Sequence, residues 1–298
     1  MSSWVKRFGL GLGLLMVLGV ALLLFASTLG ERKRQRHVDV SVQGVPWATD
    51  AAGIDRGRYL FRSRGCADCH GQDGGGREFI NDGKGMRIIG PNITVGGPVG
   101  QYTEQDWVRI IRHGVKADGR AAFIMPSEDY NRFTDADVAA VVGYVRTLAA
   151  RKGGEAILEL PLPVKVFYGL GAIRDASEKI DHSLPTAQPV AAAVNVQHGA
   201  YVANMCIGCH GPGLSGGNIP GGPPDWPAAA NLTSGAGSVM ARYTDADTFV
   251  AMLRSGTRPD GSSIKVMPFE SLRELNDTDA QALYTFLKTV PPLTFGQR

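Results

Sequence analysis

Cys66-Ala67-Asp68-Cys69-His70-Gly71 and Cys206-Ile207-Gly208-Cys209-His210-Gly211 hold all four cysteines of the 298-residue chain. Two pairs at one spacing leave no odd thiol and no basis for a large disulfide framework. The likeness extends in both directions from these hexapeptides. Gly57-Arg58-Tyr59 returns as Gly199-Ala200-Tyr201, Asn92-Ile93-Thr94 as Asn231-Leu232-Thr233, and Tyr102-Thr103 as Tyr243-Thr244. Arg112-His113-Gly114 returns as Arg254-Ser255-Gly256, Asp118-Gly119 as Asp260-Gly261, and Met125-Pro126 as Met267-Pro268. One unit therefore occurs twice in the same order, which sets the domain plan.

Cys-x-x-Cys-His is the attachment sequence of c-type haem. Its two thiols add to the porphyrin vinyl groups, and the adjoining His reaches the iron from one face. A redox dithiol and half of a zinc site are the competing readings. A dithiol does not require His after the second Cys, twice, and a four-Cys zinc site would need two pairs from separate units to converge. The sixth iron position is expected to fall to Met125 and Met267. They are the one Met pair that coincides between copies, and each precedes Pro, which stiffens a loop. Met86 has no Met counterpart, Met205 matches Gly65, and Met252 matches Ile110 on an apolar helix stripe. His113, a rival ligand, matches Ser255. His37, His182 and His198 read as surface residues.

The helices of each unit can be placed. First helices run near 54–63 and 197–205. Thr103 and Thr244 are candidate N-caps, with Trp107, Ile110 and Ile111, or Phe249, Met252 and Leu253, at helical spacing; Gly114 and Gly256 are the stops. The last helices start near Thr134 and Asn276 and carry the stripes Val138, Val141, Val142, Val145, Leu148 and Ala280, Leu283, Tyr284, Leu287, Val290. Gly57 and Gly199 would let the first helix approach the last, where Tyr144 and Phe286 correspond. Arg112 and Arg254 are candidates for pairing with haem propionates or for solvated helix ends. The Pro91 carbonyl is a candidate partner for the second ring nitrogen of His70, while Ala230 at the matching place leaves that role open in copy two. No strand alternation is evident, so the expected class is all-α.

Residues Phe8 to Leu29 are uncharged and mostly apolar, long enough for a membrane-spanning helix of about 20 residues and longer than a secretory core of about 7–15. Glu31-Arg32-Lys33-Arg34 follows at once, a poor context for cleavage, so an uncleaved anchor is favoured. The basic cluster outweighs Lys6 and Arg7 and by itself would sit in the cytoplasm, but long domains cross regardless of charge and haem attachment requires export. Six of the 31 basic side chains fall in residues 1–36 against one acid, so the remainder carries 25 basic and 27 acidic groups. That balance excludes a broadly basic nucleic-acid binder. The expected plan is an anchor with basic flank (1–36), a linker (37–53), a first unit (54–150), a Pro-containing linker (151–196) and a second unit (197–298).

Each copy resembles the class I cytochrome c fold. The run Asn-(Ile/Leu)-Thr, Arg-x-Gly, Asp-Gly, Met-Pro and Asp-x-Asp is similar to the haem domains of membrane-associated bacterial multihaem cytochromes, above all the cytochrome c subunits of periplasmic alcohol, gluconate and aldehyde dehydrogenases. The resemblance covers nearly all of 54–150 and 197–292. It implies two tandem class I cytochrome c domains behind a transmembrane helix and two covalently attached haem c groups. Cys66, Cys69, Cys206 and Cys209 would hold them, with His70/Met125 and His210/Met267 as axial pairs. Those subunits typically carry three haems, whereas two motifs stand here. In layout the chain also resembles the dihaem subunit of cbb3-type oxidases, without the cytoplasmic segment expected before that anchor.

The implied role is electron transfer at the periplasmic surface of the bacterial inner membrane. A periplasmic dehydrogenase or quinol-oxidising complex would be donor, and a terminal oxidase or soluble cytochrome acceptor. A dihaem enzyme of peroxidase or thiosulfate dehydrogenase type is the alternative. A peroxidase needs an iron that can open, yet both copies keep Met-Pro, and a Cys axial ligand is lacking because all four Cys serve attachment. A haem sensor would need a signalling domain, and none follows the second unit. The slightly acidic bulk, with up to four propionates added, favours a basic patch on the partner.

Overall fold

The computed structural model describes residues 3–223 and 225–297. Met1, Ser2, Pro224 and Arg298, which belong to the expected 1–36 and 197–298 segments, lie outside the described residues. Helix α1 (Ser3–Gln35) comes first, followed in the first unit by α2 (Ala51–Ser63), α3 (Cys66–His70), strands β1 (Glu78–Asn81) and β2 (Arg87–Ile89), α4 (Glu104–His113), α5 (Ser127–Tyr130) and α6 (Asp135–Thr147). Then come β3 (Ile157–Glu159) and α7 (Leu162–Gly169). The second unit repeats the helical set as α8 (Val196–Ala203), α9 (Ile207–His210), α10 (Ala246–Ser255), α11 (Phe269–Leu272) and α12 (Asp277–Leu287).

The caps explain the boundaries. Thr103 forms a capping box with Asp106 at the start of α4, and Gly114 ends it in the left-handed region at φ 64°, where a side chain would be strained. Thr134 and Asn276 cap α6 and α12 by accepting the amides of Asp137 and Asp279. In α10 the cap is Asp245, one residue past the expected Thr244: its carboxylate takes the Thr248 amide while the Thr244 hydroxyl donates to it. A charged cap also complements the helix dipole.

Two cores result. Leu60, Phe61, Trp107, Val138, Val142 and Val145 centre the first, and Val202, Phe249, Leu253, Leu275, Leu283 and Leu287 the second. In each, the first helix crosses the last at a glycine. A Cβ on Gly57 would meet the Ala140 oxygen at 1.9 Å, and one on Gly199 would meet the Ala282 oxygen at 2.0 Å. Gly57→Ala is therefore expected to destabilise by about 1–3 kcal/mol through overpacking, read as a lower midpoint in thermal unfolding; an unchanged midpoint would contradict the crossing.

The fold is all-α apart from one small sheet, absent from the sequence reading. β1, β2 and β3 pair antiparallel in that order, with Ile88 opposite Leu158. The 37–53 segment is laid along the first unit: Val38 donates to the Gly119 oxygen, Ala48 to the Ala139 oxygen, and Trp47 packs beneath Arg146. The 151–196 segment has structure of its own. Its α7 lies against the end of α1, and Arg36 forms a two-pronged ion pair with the fully buried Asp175.

The two units meet across a reciprocal contact. Tyr59 donates to the Asp279 carboxylate at 2.7 Å and accepts the Asn276 amide, while Tyr201 donates to Asp137 and accepts the Thr134 amide. Each tyrosine thus reads the first turn of the other unit's last helix. Arg56 holds Asp137 from its own unit, and His198 does the same for Asp279. His198 is accordingly 1% exposed, not the surface residue expected: its Nε2 meets the buried Asp279 carboxylate at 2.7 Å, which offsets part of the cost of burial, while its Nδ1 has no partner among the described residues. Arg64, 2.6 Å from Asp279, completes the buried cluster.

Candidate functional site

α3 and α9 are single turns that place the motif residues side by side. Both end at a glycine with positive φ, Gly71 at 76° and Gly211 at 78°. The His70 Nδ1 lies 3.0 Å from the Pro91 oxygen and the His210 Nδ1 2.8 Å from the Ala230 oxygen. A carbonyl only accepts, so Nδ1 carries the proton and Nε2 bears the lone pair, the form that ligates a metal. The acceptor is a backbone atom, which is why Ala serves as well as Pro.

The Met-Pro segments share one conformation. Pro126 has φ −80° and ψ 58°, Pro268 φ −78° and ψ 68°. In each the amide after Pro donates to the Met carbonyl, at 2.8 and 2.9 Å. This is an inverse γ-turn, which fixes the half-buried Met just ahead of α5 or α11. Met125 packs against the first core together with Cys66, and Met267 against the second together with Cys206.

In the second unit a cleft of about 1170 Å³, measured to its open mouth, is lined by Cys206, Cys209, His210 and Met267. A thiol pair, an imidazole and a thioether opening on one apolar cleft are the donor set that a covalently attached haem would use. Apolar side chains line most of the rest, with Arg258 and Lys265 among the few charges. These are the cations available to propionates there. Arg254, a candidate for a propionate or for a solvated helix end, binds the Arg273 carbonyl and Asp277 at the exposed end of α10. Arg112 is likewise spent on the Phe133 carbonyl and is 4% exposed, neither a propionate partner nor a solvated end. The repeat held a signal for Arg258, since Lys116 occupies the matching position. In the first unit the buried Trp107 Nε1 has no acceptor among the described residues, and a haem carboxylate would supply one.

The thiols lack the lowered pKa of a reactive redox dithiol. Burial, with Asp68 nearby, pushes Cys69 up to about 12. Burial, with Cys69 and Asp68, does the same for Cys66, and burial, with Asp129 and Cys209, for Cys206. Reactive dithiols lie well below neutral-thiol values. The two Cys pairs sit in separate units, and no three His, Cys, Asp or Glu converge on a metal among the described residues. His113, the rival ligand, contacts His182 Nδ1 to Nδ1 at 3.0 Å. Burial, His182 and Arg112 depress it to about 4.

The sequence pattern of the family described as cytochrome c matches residues 54–149 and 197–291. The chain belongs to the cytochrome c family. Two such domains carry two covalently attached haem c groups. Among relatives, the "Fructose dehydrogenase cytochrome subunit" of Gluconobacter japonicus is 29% identical over 83% of this chain and 54% of its own length. The "Alcohol dehydrogenase (quinone), cytochrome c subunit" of Gluconobacter oxydans is 27% identical over 83% of this chain and 57% of its own. A "Cbb3-type cytochrome c oxidase subunit CcoP" of Helicobacter pylori is 34% identical over 38% of this chain and 34% of its own. This cytochrome spans little more than half the length of the two dehydrogenase relatives. α1 is long and apolar enough to cross a membrane, and its apolar side chains from Phe8 to Phe25 are exposed. This is a membrane-anchored cytochrome.

Proposed function

We propose that the chain is a dihaem electron-transfer subunit held at the periplasmic face of the bacterial inner membrane. It would take electrons from a dehydrogenase or quinol-oxidising complex and pass them to an oxidase or soluble cytochrome. The observation that carries this reading is the cleft holding Cys206, Cys209, His210 and Met267, with the same local geometry repeated at Cys66, Cys69, His70 and Met125. In this reading the cysteines would hold each haem covalently, and His and Met would both be taken up as iron ligands, leaving no position for substrate. Imidazole with thioether ligation supports a relatively high potential. The chain's own part is to orient each His through a backbone carbonyl, to keep each Met in a rigid turn, and to exclude water with apolar walls. Export is compatible with the basic flank, because long domains translocate largely regardless of the charge beside the anchor.

Affinity purification from native membranes in mild detergent is the direct test. A stoichiometric dehydrogenase or quinol-oxidising complex is expected to accompany the protein, and neither ferrous haem is expected to bind carbon monoxide rapidly. Turnover of peroxide or thiosulfate by the purified protein would overturn the reading in favour of an enzyme.

A further inference from the structure

α7 is a helix turned inside out for a water-facing element. Its inner side is spent on the first unit: Tyr168 is 2% exposed, meets Phe123 edge to face and donates to Asp175. Its outer side is apolar. Leu162 is 45%, Phe167 53% and Leu170 64% exposed, with Pro163 also exposed and Val166 half-buried. At 100° per residue these five positions cover one arc of about 140°. A solvated helix face is normally polar.

What faces this arc follows from where α7 sits along α1. A Cβ on Gly30 would meet the Lys165 oxygen at 2.3 Å, and one on Gly169 would meet the Ala26 oxygen at 2.5 Å. Ala26-xxx-Gly30 against Gly169 is a close helix contact through small residues, of the kind that packs helices in membranes. Residues Phe8 to Leu29, at 1.5 Å per residue, extend about 33 Å, against a hydrocarbon thickness of roughly 30 Å. Ala26 to Gly30 is therefore the turn in which the anchor leaves the hydrocarbon, and α7 is clamped beside it at that depth. Exposed Arg32 in α1, Lys165 in α7 and Arg174 just after it, against exposed Glu31 and Glu178, leave one more cation than anion here, as suits a layer of anionic headgroups.

We infer that α7 is a second membrane contact, an interfacial helix whose Leu162, Phe167 and Leu170 face is immersed at the lipid headgroup boundary beside the emerging anchor. The inference rests on α1 being the membrane anchor. It makes the attachment two-point: α1 and α7 enter the bilayer together, and the Ala176 amide on the Ala122 oxygen, with Lys179 on Glu128, ties that pair to the first unit. The haem domains then stand at a fixed tilt on the membrane and do not swing on a tether.

The test uses full-length holoprotein in phosphatidylethanolamine–phosphatidylglycerol vesicles, with both haems reduced so that the iron is diamagnetic. Phe167→Cys and Leu170→Cys carry a nitroxide, with Leu18→Cys in α1 and Ser262→Cys on the second unit as references. The haem cysteines are thioethers and take no label, and the haem absorption spectrum verifies each fold. Relaxation by oxygen, which partitions into lipid, is compared with relaxation by a water-soluble nickel chelate. The oxygen-to-nickel ratio at Phe167→Cys and Leu170→Cys is expected severalfold above that at Ser262→Cys and below that at Leu18→Cys. Ratios equal to that of Ser262→Cys, with Leu18→Cys in lipid, would overturn the inference and leave the anchor standing. A water-exposed Leu18→Cys would overturn the anchor itself.

Discussion

Met125→Ala is expected to turn one of the two haems into a lower-potential centre that binds carbon monoxide, and to leave the other unchanged. Thioether raises the haem potential relative to other axial partners, and axial ligation as a whole commands a range of about 0.8 V. A shift that is a sizeable part of that range is therefore expected in one of two redox steps. The rest of the first unit should survive, because Met125 is half-buried at the end of its core and its γ-turn is held by the Ser127 amide and Pro126, not by the thioether. Met267→Ala should do the same to the other step, and the double variant to both. The sulfur-to-iron absorption band should halve in each single variant and vanish in the double. Met86→Ala should alter nothing, since Met86 borders the β1–β2 turn. A Met125→Ala protein with both potentials intact and no carbon monoxide binding would remove Met125 from the ligand set.

The repeat made much of this legible. Duplication filters accident, so Met125 with Met267, Thr134 with Asn276, and Gly57 with Gly199 could be chosen where a single copy would have left each ambiguous. It failed where the two copies differ or where the partner is remote. Asp137 and Asp279 look like ordinary first-turn acids, and nothing local says that Tyr201 and Tyr59 reach them from 64 and 220 residues away. His198 beside Asn195 carries no burial signal of its own. β1, β2 and β3 are three or four residues long, too short for alternation to register. The 151–196 prolines suggested a spacer, but one of them opens α7, where a first-turn Pro costs no hydrogen bond. Thr244 and Asp245 are adjacent good caps, and only the observed amide contacts choose between them.

Asp279→Ala should be the most destabilising single change at the contact between the units. Asp279 is 1% exposed and accepts from Arg64, Tyr59 and His198. Removing it strands the Arg64 guanidinium, itself 5% exposed, and breaking a buried pair in this way costs about 3–5 kcal/mol. Burial by itself would raise the Asp279 carboxyl, but the charge of Arg64 and the three donors prevail and bring it down to about 2. An unfolded Asp titrates near 3.9, so the folded state holds the proton less tightly. The resulting stabilisation, roughly 2–3 kcal/mol, is present above about pH 4 and is lost as pH falls toward about 2. Wild-type unfolding followed by calorimetry should show that loss, and Asp279→Ala should flatten it while lowering stability at pH 7. Arg64→Met with Asp279→Leu should recover much of the deficit, because an apolar pair leaves no buried charge. The same bond holds the turn before Cys66 against the start of α12, so Asp279→Ala should also slow electron exchange between the two haems in flash-reduction kinetics. Unaltered exchange with the stability loss present would make this cluster a prop of the second unit alone.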